Sequence, residues 1–245
     1  LPLTLSFIQK RAALRLTYAR KLAANQRMPE AAEQLDALVR AAPDNAAAWL
    51  TLGAVRLELR QHPQAEVALT QFLALKKHAA ESATQSEQAN DDDSPHQADA
   101  TVDQAYMLLS QLEEQRNQYE KALAWLDKVE QQSVGNFILP TQRARLLVKL
   151  GKIKEAREVI QALPEEEPRD AITKFQAEAQ LLRDANQIEQ AYKVMEAANA
   201  RFPDDADLLY EQAMLGERLQ RYDDMERLLR KAMALAPENP HNYNA

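Results

Sequence analysis

Metal ligation is the chemistry that the sequence offers most directly, because one stretch gathers imidazole and carboxylate side chains. His78, residues 91–93, His96 and Asp99 carry nitrogen and oxygen atoms of the kind that bind divalent cations. The surrounding stretch, residues 78–100, contains no glycine and no Val, Ile, Leu, Met, Phe, Trp or Tyr. Because a polar, acidic run without apolar anchors does not fold by itself, we predict a disordered acidic insertion here and no metal site.

Catalytic groups lack the spacing that enzyme reactions require. The four glycines are too scattered to form a phosphate-binding loop, a dinucleotide-binding turn or a nucleophile elbow. The histidines form no zinc-binding helix motif, and adjacent carboxylates such as Glu113 and Glu114 point to different sides of a helix. We therefore expect no enzyme activity and no cofactor.

Charge and composition exclude several other classes of function. The net charge is -7, and residues 78–100 contribute six acidic residues without any Lys or Arg, so the remainder is nearly neutral. This balance gives no basic cluster for nucleic acid or an anionic membrane. Cysteine is absent, which excludes disulfides and thiolate metal sites, and no apolar run is long enough to insert into a membrane.

The elements that must position any functional side chains are predicted to be helices. The chain has 4 Gly and 6% aromatic residues and is rich in Ala, Leu, Glu and Gln, which favours helix over strand. Its first half also repeats. Four pairs of residues are separated by 34 positions: Tyr18 with Leu52, Ala19 with Gly53, Ala31 with Ala65, and Leu35 with Leu69.

The repeated residues resemble those of a known family. Trp49, Leu52, Gly53, Ala65 and Leu69 form a W-x-x-L-G…A-x-x-x-large pattern that resembles the tetratricopeptide repeat, or TPR. The resemblance implies an all-α fold, a right-handed superhelical solenoid of antiparallel helix pairs, here called helix A and helix B of each repeat. Small residues at the eighth and twentieth positions are expected to let the two helices approach closely.

The twentieth position locates six repeats. It falls at Ala31, Ala65, Ala122, Ala156, Ala191 and Met225, with intervals of 34, 57, 34, 35 and 34. The interval of 57 exceeds 34 by 23, the length of residues 78–100, so this stretch is predicted to be an insertion between repeats two and three. Polar or bulky residues depart from the pattern at Pro140, Gln212 and Met225, so we expect repeats four and six to be shifted or loosely packed.

This spacing divides the chain into five predicted segments. Residues 1–11 form a lead-in, residues 12–77 repeats one and two, and residues 78–100 the insertion. Residues 101–237 form repeats three to six, and residues 238–245 begin a truncated seventh repeat. We expect the chain to be part of a longer protein.

Candidate binding residues follow from the resemblance. In similar proteins helix A of each repeat lines a concave groove, mainly through positions two, five, nine, twelve and thirteen. Mapped onto this sequence, the candidate partner-binding residues are Leu16, Arg20, Leu50, Leu57, Met107, Gln111, Arg145, Lys149, Gln180, Arg183 and Tyr210.

The chemistry of this set is partly apolar and partly cationic. Leu50, Leu57 and Met107 are apolar at positions where the core is not expected to need them, and the later repeats supply cations such as Arg145. We interpret this as a groove for an extended or helical peptide that offers apolar side chains and carboxylates. Similar domains that bind a chaperone's acidic tail have Lys at position five, where this chain has Leu16, so that ligand is not expected.

The resemblance implies a non-catalytic scaffold or adaptor that binds another protein or a peptide segment. The Ala-rich repeats and the run PENPHNYNA are similar to those of large proteobacterial TPR proteins. Some of those are envelope lipoproteins that hold a protease or an assembly enzyme, which implies a periplasmic protein anchored to the outer membrane, with the cytoplasm as the alternative. Two other functions stay open: a self-association (dimerisation) module that makes a homo-oligomer, and an enzyme whose catalytic domain lies elsewhere in the protein.

The repeat register generates a stability prediction. Ala65→Leu and Ala122→Leu should each lower the free energy of unfolding by about 1–3 kcal/mol, because a larger side chain overpacks the contact between helix A and helix B. Ala83→Leu, outside the repeats, should change it much less. Urea denaturation measures all three, and equal effects would show that the register is wrong.

Overall fold

The computed structural model describes residues 2–87, 100–130 and 137–236, and all regular structure in these ranges is α-helical. The all-α class predicted from the sequence is therefore confirmed. Twelve helices lie in the described ranges: α1 (Pro2–Ala24), α2 (Met28–Ala41), α3 (Ala46–Glu58), α4 (His62–Glu87), α5 (Ala100–Gln115), α6 (Tyr119–Leu126), α7 (Ile138–Lys149), α8 (Ile153–Gln161), α9 (Pro168–Asp184), α10 (Ile188–Arg201), α11 (Ala206–Arg218) and α12 (Tyr222–Leu235).

The helices belong to two compact units, Leu1–Ser133 with α1 to α6 and Val134–Ala245 with α7 to α12. Within each unit every helix packs against the next one along the chain. Odd-numbered helices are the A helices and even-numbered helices the B helices of the predicted repeats. In the first unit, α3 also contacts both α1 and α5, so its three A helices lie side by side.

The turn from helix A to helix B is built in the same way in all six repeats. Its fifteenth residue has a left-handed backbone with φ between 56° and 76°, at Gln26, Arg60, Asn117, Gly151, Asn186 and Gln220. The next N–H donates to a carbonyl five residues back, for example Arg27 to Leu22 at 2.9 Å. This is the hydrogen-bond pattern of a Schellman helix end. The six turns recur at the intervals of the sequence repeat, so all six repeats are in register.

The expected shift of repeats four and six is therefore wrong, and each irregular residue is accommodated locally. Pro140 lies in the first turn of α7, where the missing N–H would have had no partner within the helix. Gln212 is buried, and its Oε1 accepts a hydrogen bond from Asn199 Nδ2 at 2.8 Å. Met225 packs, partly buried, against the apolar cluster that contains Leu228.

Small residues hold the contact between helix A and helix B. Ala19, Ala31, Ala65 and Ala122 each have 0% of their surface exposed. A Cβ placed on Gly53, at the eighth position of repeat two, would lie 2.6 Å from the side chain of Leu69. The helices therefore approach too closely for a larger residue at these positions.

Two predicted segment boundaries differ from the structure. The stretch His78–Glu87 continues α4 instead of leaving it, because its Ala, Glu and Gln residues favour helix and no Pro or Gly interrupts them. Likewise α1 begins at Pro2, so the predicted lead-in is continuous with the first helix A. The remaining part of the predicted insertion, residues 88–99, and the predicted seventh repeat at 238–245 lie outside the described residues.

The left-handed turns predict the positions at which a change to glycine should stabilise the fold. Arg60→Gly and Gln220→Gly should each raise the free energy of unfolding by about 0.5–1 kcal/mol, because glycine adopts positive φ without the steric cost that a Cβ imposes. Gly151→Ala should lower it by a similar amount for the same reason. As a control, Ala54→Gly inside α3 should be destabilising, and a stabilising effect there would contradict this account; urea denaturation compares the four variants.

Candidate partner-binding face

The candidate binding residues lie on the A helices, and in the first unit those helices form one continuous face. Helices α1, α3 and α5 are adjacent, and Arg20 Nε donates a hydrogen bond to Thr51 Oγ1 across the α1–α3 boundary at 3.4 Å. Arg20 and Gln111 are exposed on this face, and Met107 is half-buried.

The apolar candidates of the first unit are core residues. Leu16, Leu50 and Leu57 are only 9%, 7% and 1% exposed. Leu57 packs with Leu112 of α5, and Leu50 belongs to a cluster with Phe72 of α4. The expectation that Leu50 and Leu57 stand outside the core is therefore wrong. The reason is that α5 packs beside α3 and covers the positions that the family pattern assigns to the groove.

In the second unit the candidates are polar and accessible. Arg145, Lys149 and Gln180 are exposed, while Arg183 and Tyr210 are half-buried. The structure brings Gln180 and Arg183 together, because Arg183 Nη2 donates to Gln180 Oε1. Arg183 Nε is buried, and the described residues give it no hydrogen-bond acceptor.

Polar contacts also order the A helices of the second unit. Gln180 Nε2 donates to Asp184 Oδ1 at 2.7 Å along α9. Gln176 Nε2 donates to Glu211 Oε1 at 2.5 Å, which links α9 to α11. Helix α9 also packs on α7, the helix that carries Arg145 and Lys149. The A-helix side of this unit is thus a polar surface with cationic groups and a fixed helix arrangement.

Buried acidic residues between repeats have a structural role. Glu113 is 6% exposed and pairs with Arg116 at 3.2 Å, and Arg116 also pairs with Glu66 of α4 at 2.7 Å. The hydrogen bond to Glu66 is the main cause of the raised pKa of Arg116. In the second unit, Glu178 accepts hydrogen bonds from Arg157 Nε at 2.7 Å and from Gln161 Nε2 at 2.8 Å. The pairs of Arg116 with Glu66 and of Arg157 with Glu178 join neighbouring repeats.

One surface feature was missed by sequence reasoning. Between α2, α3 and α4 lies a cavity of about 580 Å³ whose lining includes Val39, Arg40, Trp49, Leu52 and Val67. Trp49, the first residue of the repeat pattern, is half-buried, with Nε1 donating to the carbonyl of Pro43 at 2.8 Å. No sequence signal indicates the cavity. Its existence depends on how the side chains of three neighbouring helices pack, and the sequence does not show which of their atoms remain accessible.

The described ranges offer neither a metal-binding cluster nor a membrane-spanning helix. There, no group of three or more His, Asp or Glu side chains is arranged to hold a metal ion. Within the same ranges no helix combines the length and apolarity needed to cross a membrane. The potential ligands Asp91, His96 and Asp99 lie outside them.

Comparison with known families agrees with the repeat architecture. Residues 108–244 match the family described as Psidin, N-terminal TPR repeats region, and residues 16–77 match the family described as tetratricopeptide repeat. The first match alone covers more than half of the chain. The chain belongs to the TPR family.

The individual proteins that the chain resembles share between 13% and 32% of its residues in the matched regions. The chain is 32% identical over 146 residues to TPR repeat-containing protein PA4667 of Pseudomonas aeruginosa, a match that covers 59% of this chain and 24% of that protein. The chain thus spans about a quarter of the length of this relative.

Two solved structures share the fold. PilW, a type IV pilus biogenesis factor, has a TM-score of 0.56 at 16% identity over 95% of this chain and 96% of its own. Pseudomonas aeruginosa PilF has a TM-score of 0.55 at 13% identity over 96% of each chain.

The burial of the apolar candidates generates a direct test. Leu57→Ala should lower the free energy of unfolding by about 2–5 kcal/mol, because it leaves a cavity in the core. Met107→Ala should cost clearly less, because part of the Met107 side chain is already in contact with solvent. Urea denaturation of both variants measures the difference, and a larger loss for Met107→Ala would contradict the assignment of Leu57 to the core.

Proposed function

We propose that this chain is a non-catalytic adaptor that binds a carboxylate-bearing segment of another protein on the A-helix surface of its second unit. The observation that carries the proposal is the exposure of Arg145, Lys149 and Gln180 on helices whose mutual positions are fixed by packing and hydrogen bonds. Proteins of the TPR family generally serve as scaffolds for protein–protein interaction, and this surface suits that use.

The chemistry of the surface favours an extended, acidic segment over an apolar one. Guanidinium and ammonium groups bind carboxylates through charge-assisted hydrogen bonds, and side-chain amides add neutral hydrogen bonds to a peptide backbone. Leu50 and Leu57 are buried in the core, so Met107 is the one apolar candidate of the first unit that remains partly accessible. Arg20 and Gln111 are exposed on the same face. The first unit therefore offers a mainly polar surface of its own, and the proposed binding site lies on the second unit.

We also propose that the adaptor works in the bacterial envelope, as part of a periplasmic lipoprotein that holds a protease or an assembly enzyme. The similarity to a Pseudomonas aeruginosa TPR protein supports a bacterial origin. PilW shares the fold and is described as a type IV pilus biogenesis factor, which is an assembly role at the cell envelope. A cytoplasmic adaptor is the alternative.

The binding surface predicts a charge-reversal effect. Partner proteins are first captured with the full-length protein from the native organism, identified by mass spectrometry and purified. Arg145→Glu combined with Lys149→Glu should then weaken binding of the purified partner by at least about tenfold and reduce its salt dependence, because attractive charge pairs become repulsive. Biolayer interferometry at several salt concentrations measures both effects.

The matched control is Lys154→Glu combined with Lys193→Glu, which makes the same charge change at exposed positions of the B helices α8 and α10. It should leave the affinity nearly unchanged. Equal weakening by both pairs would mean that only net charge matters, and loss of binding in the control alone would move the site to the B helices.

Sedimentation of the chain at several concentrations tests the rival function, since reversible dimerisation would favour a self-association module.

A further inference from the structure

The cavity between α2, α3 and α4 is a recess in the first unit with a partly apolar, partly exposed lining. Its volume of about 580 Å³ lies in the range of ligand-binding cavities. Trp49 and Leu52 form part of its wall, and Val67, which also lines it, is 62% exposed. All lining residues lie between Asp36 and Ala68, so the adjoining helices α1 and α5 are both in place and neither of them lines it.

Repeat three shows which group fills the same place in the next repeat. Trp49 and Ala68 occupy the fourth and twenty-third positions of repeat two, and Tyr106 and Trp125 occupy these positions in repeat three. The rings of Tyr106 and Trp125 stack, with their centroids 5.9 Å apart. Because Ala68 has no ring to lie over Trp49, the corresponding space in repeat two remains as a cavity.

The apolar wall is preformed, and it is specific to this pair of repeats. Trp49 Nε1 donates a hydrogen bond at 2.8 Å to a backbone carbonyl in the turn between α2 and α3, which fixes the orientation of the indole ring. The second unit differs, because its corresponding cavity of about 600 Å³ has Glu178 and Lys193 at the positions of Leu52 and Val67.

The charged residues that line the cavity sum to one positive charge. Asp36 pairs with Arg56, which neutralises both groups. Arg40, the third charged residue of the lining, is exposed and forms no ion pair with any of the described residues. An apolar wall beside an uncompensated guanidinium is complementary to an apolar side chain that has a carboxylate nearby.

We infer that this cavity binds a segment of a partner protein in which an aromatic residue stands next to an acidic residue. The aromatic ring stacks on Trp49, as the ring of Trp125 stacks on Tyr106, and the carboxylate pairs with Arg40. This site is independent of Arg145 and Lys149, so it can fail or hold without affecting the proposed adaptor surface.

The exposed lining favours a side chain of a protein segment over a small molecule. Arg40, Pro63 and Val67 are exposed, so the cavity is open on one side and does not enclose a ligand as small-molecule sites do. Residues 88–99 of the chain itself are a poor occupant, because they contain no aromatic residue.

Fluorine NMR of the chain labelled with 5-fluorotryptophan tests the site, because the chain has 2 tryptophans and Trp125 serves as the internal control. Trp125→Phe assigns the two signals. Titration with acetyl-Phe-Glu-amide should shift the Trp49 signal saturably and leave the Trp125 signal unchanged. Acetyl-Phe-Gln-amide should bind at least about threefold more weakly, and acetyl-Ala-Glu-amide at least about tenfold more weakly, because each lacks one of the two groups.

Arg40→Glu should weaken binding of acetyl-Phe-Glu-amide by at least about fivefold, because it replaces an attraction by a repulsion. The matched control is Arg11→Glu, the same change at an exposed position of α1 outside the cavity, which should alter the affinity less than about twofold. An unchanged Trp125 signal in both variants shows that the fold is intact.

The proposal is overturned if the Trp49 signal does not shift, which is also the result expected when another segment of the chain fills the cavity. Equal binding of the Glu and Gln dipeptides, or equal weakening by the two variants, overturns it as well. A second copy of the chain is the rival occupant, because Tyr222 is 58% exposed and Asp223 follows it. Concentration-dependent assembly in sedimentation that Tyr222→Ala abolishes would replace the partner protein by that copy.

Discussion

The close contact between helix A and helix B is the constraint on which the rest of this structure depends. Small residues at the eighth and twentieth positions, alanine or glycine in most repeats, bring the two backbones together, and the left-handed turn between them fixes the angle at which helix B leaves. A pair of helices cannot bury its outer apolar face alone, so each pair needs a neighbour. The identical turns at Gln26 and Gln220 show that one local rule operates at both ends of the described chain.

This constraint also decides which residues remain for binding. Where a second A helix packs closely beside the first, as α5 does beside α3, the positions expected to line the groove become part of the core. Leu50 and Leu57 are therefore buried and not accessible to a partner. The side chains that remain accessible are the longer polar ones, such as Arg20 and Lys149, whose charged ends extend beyond the packed layer. Recognition by such a surface depends on charge and hydrogen bonding more than on apolar pockets.

The sequence predicted what depends on local spacing and missed what depends on neighbouring helices. The period of 34 residues gives the helix pairs and their register, because the small residues and the turn act within one repeat. The burial of Leu57 depends instead on Leu112 in the next repeat. The helical continuation through Ser82 reflects intrinsic helix preference, whereas the interval of 57 residues between repeats predicted an insertion from residue 78 onward.

The ion pairs between repeats add specificity that the apolar contacts cannot supply. Ala and Leu at equivalent positions are similar in every repeat, so apolar packing alone would let many B helices cover a given A helix. Glu178 is 7% exposed, and a buried carboxylate without its cation is costly, so α9 is compatible only with a preceding helix that offers a group such as Arg157. Charged groups in the seams thus restrict which repeat can follow which.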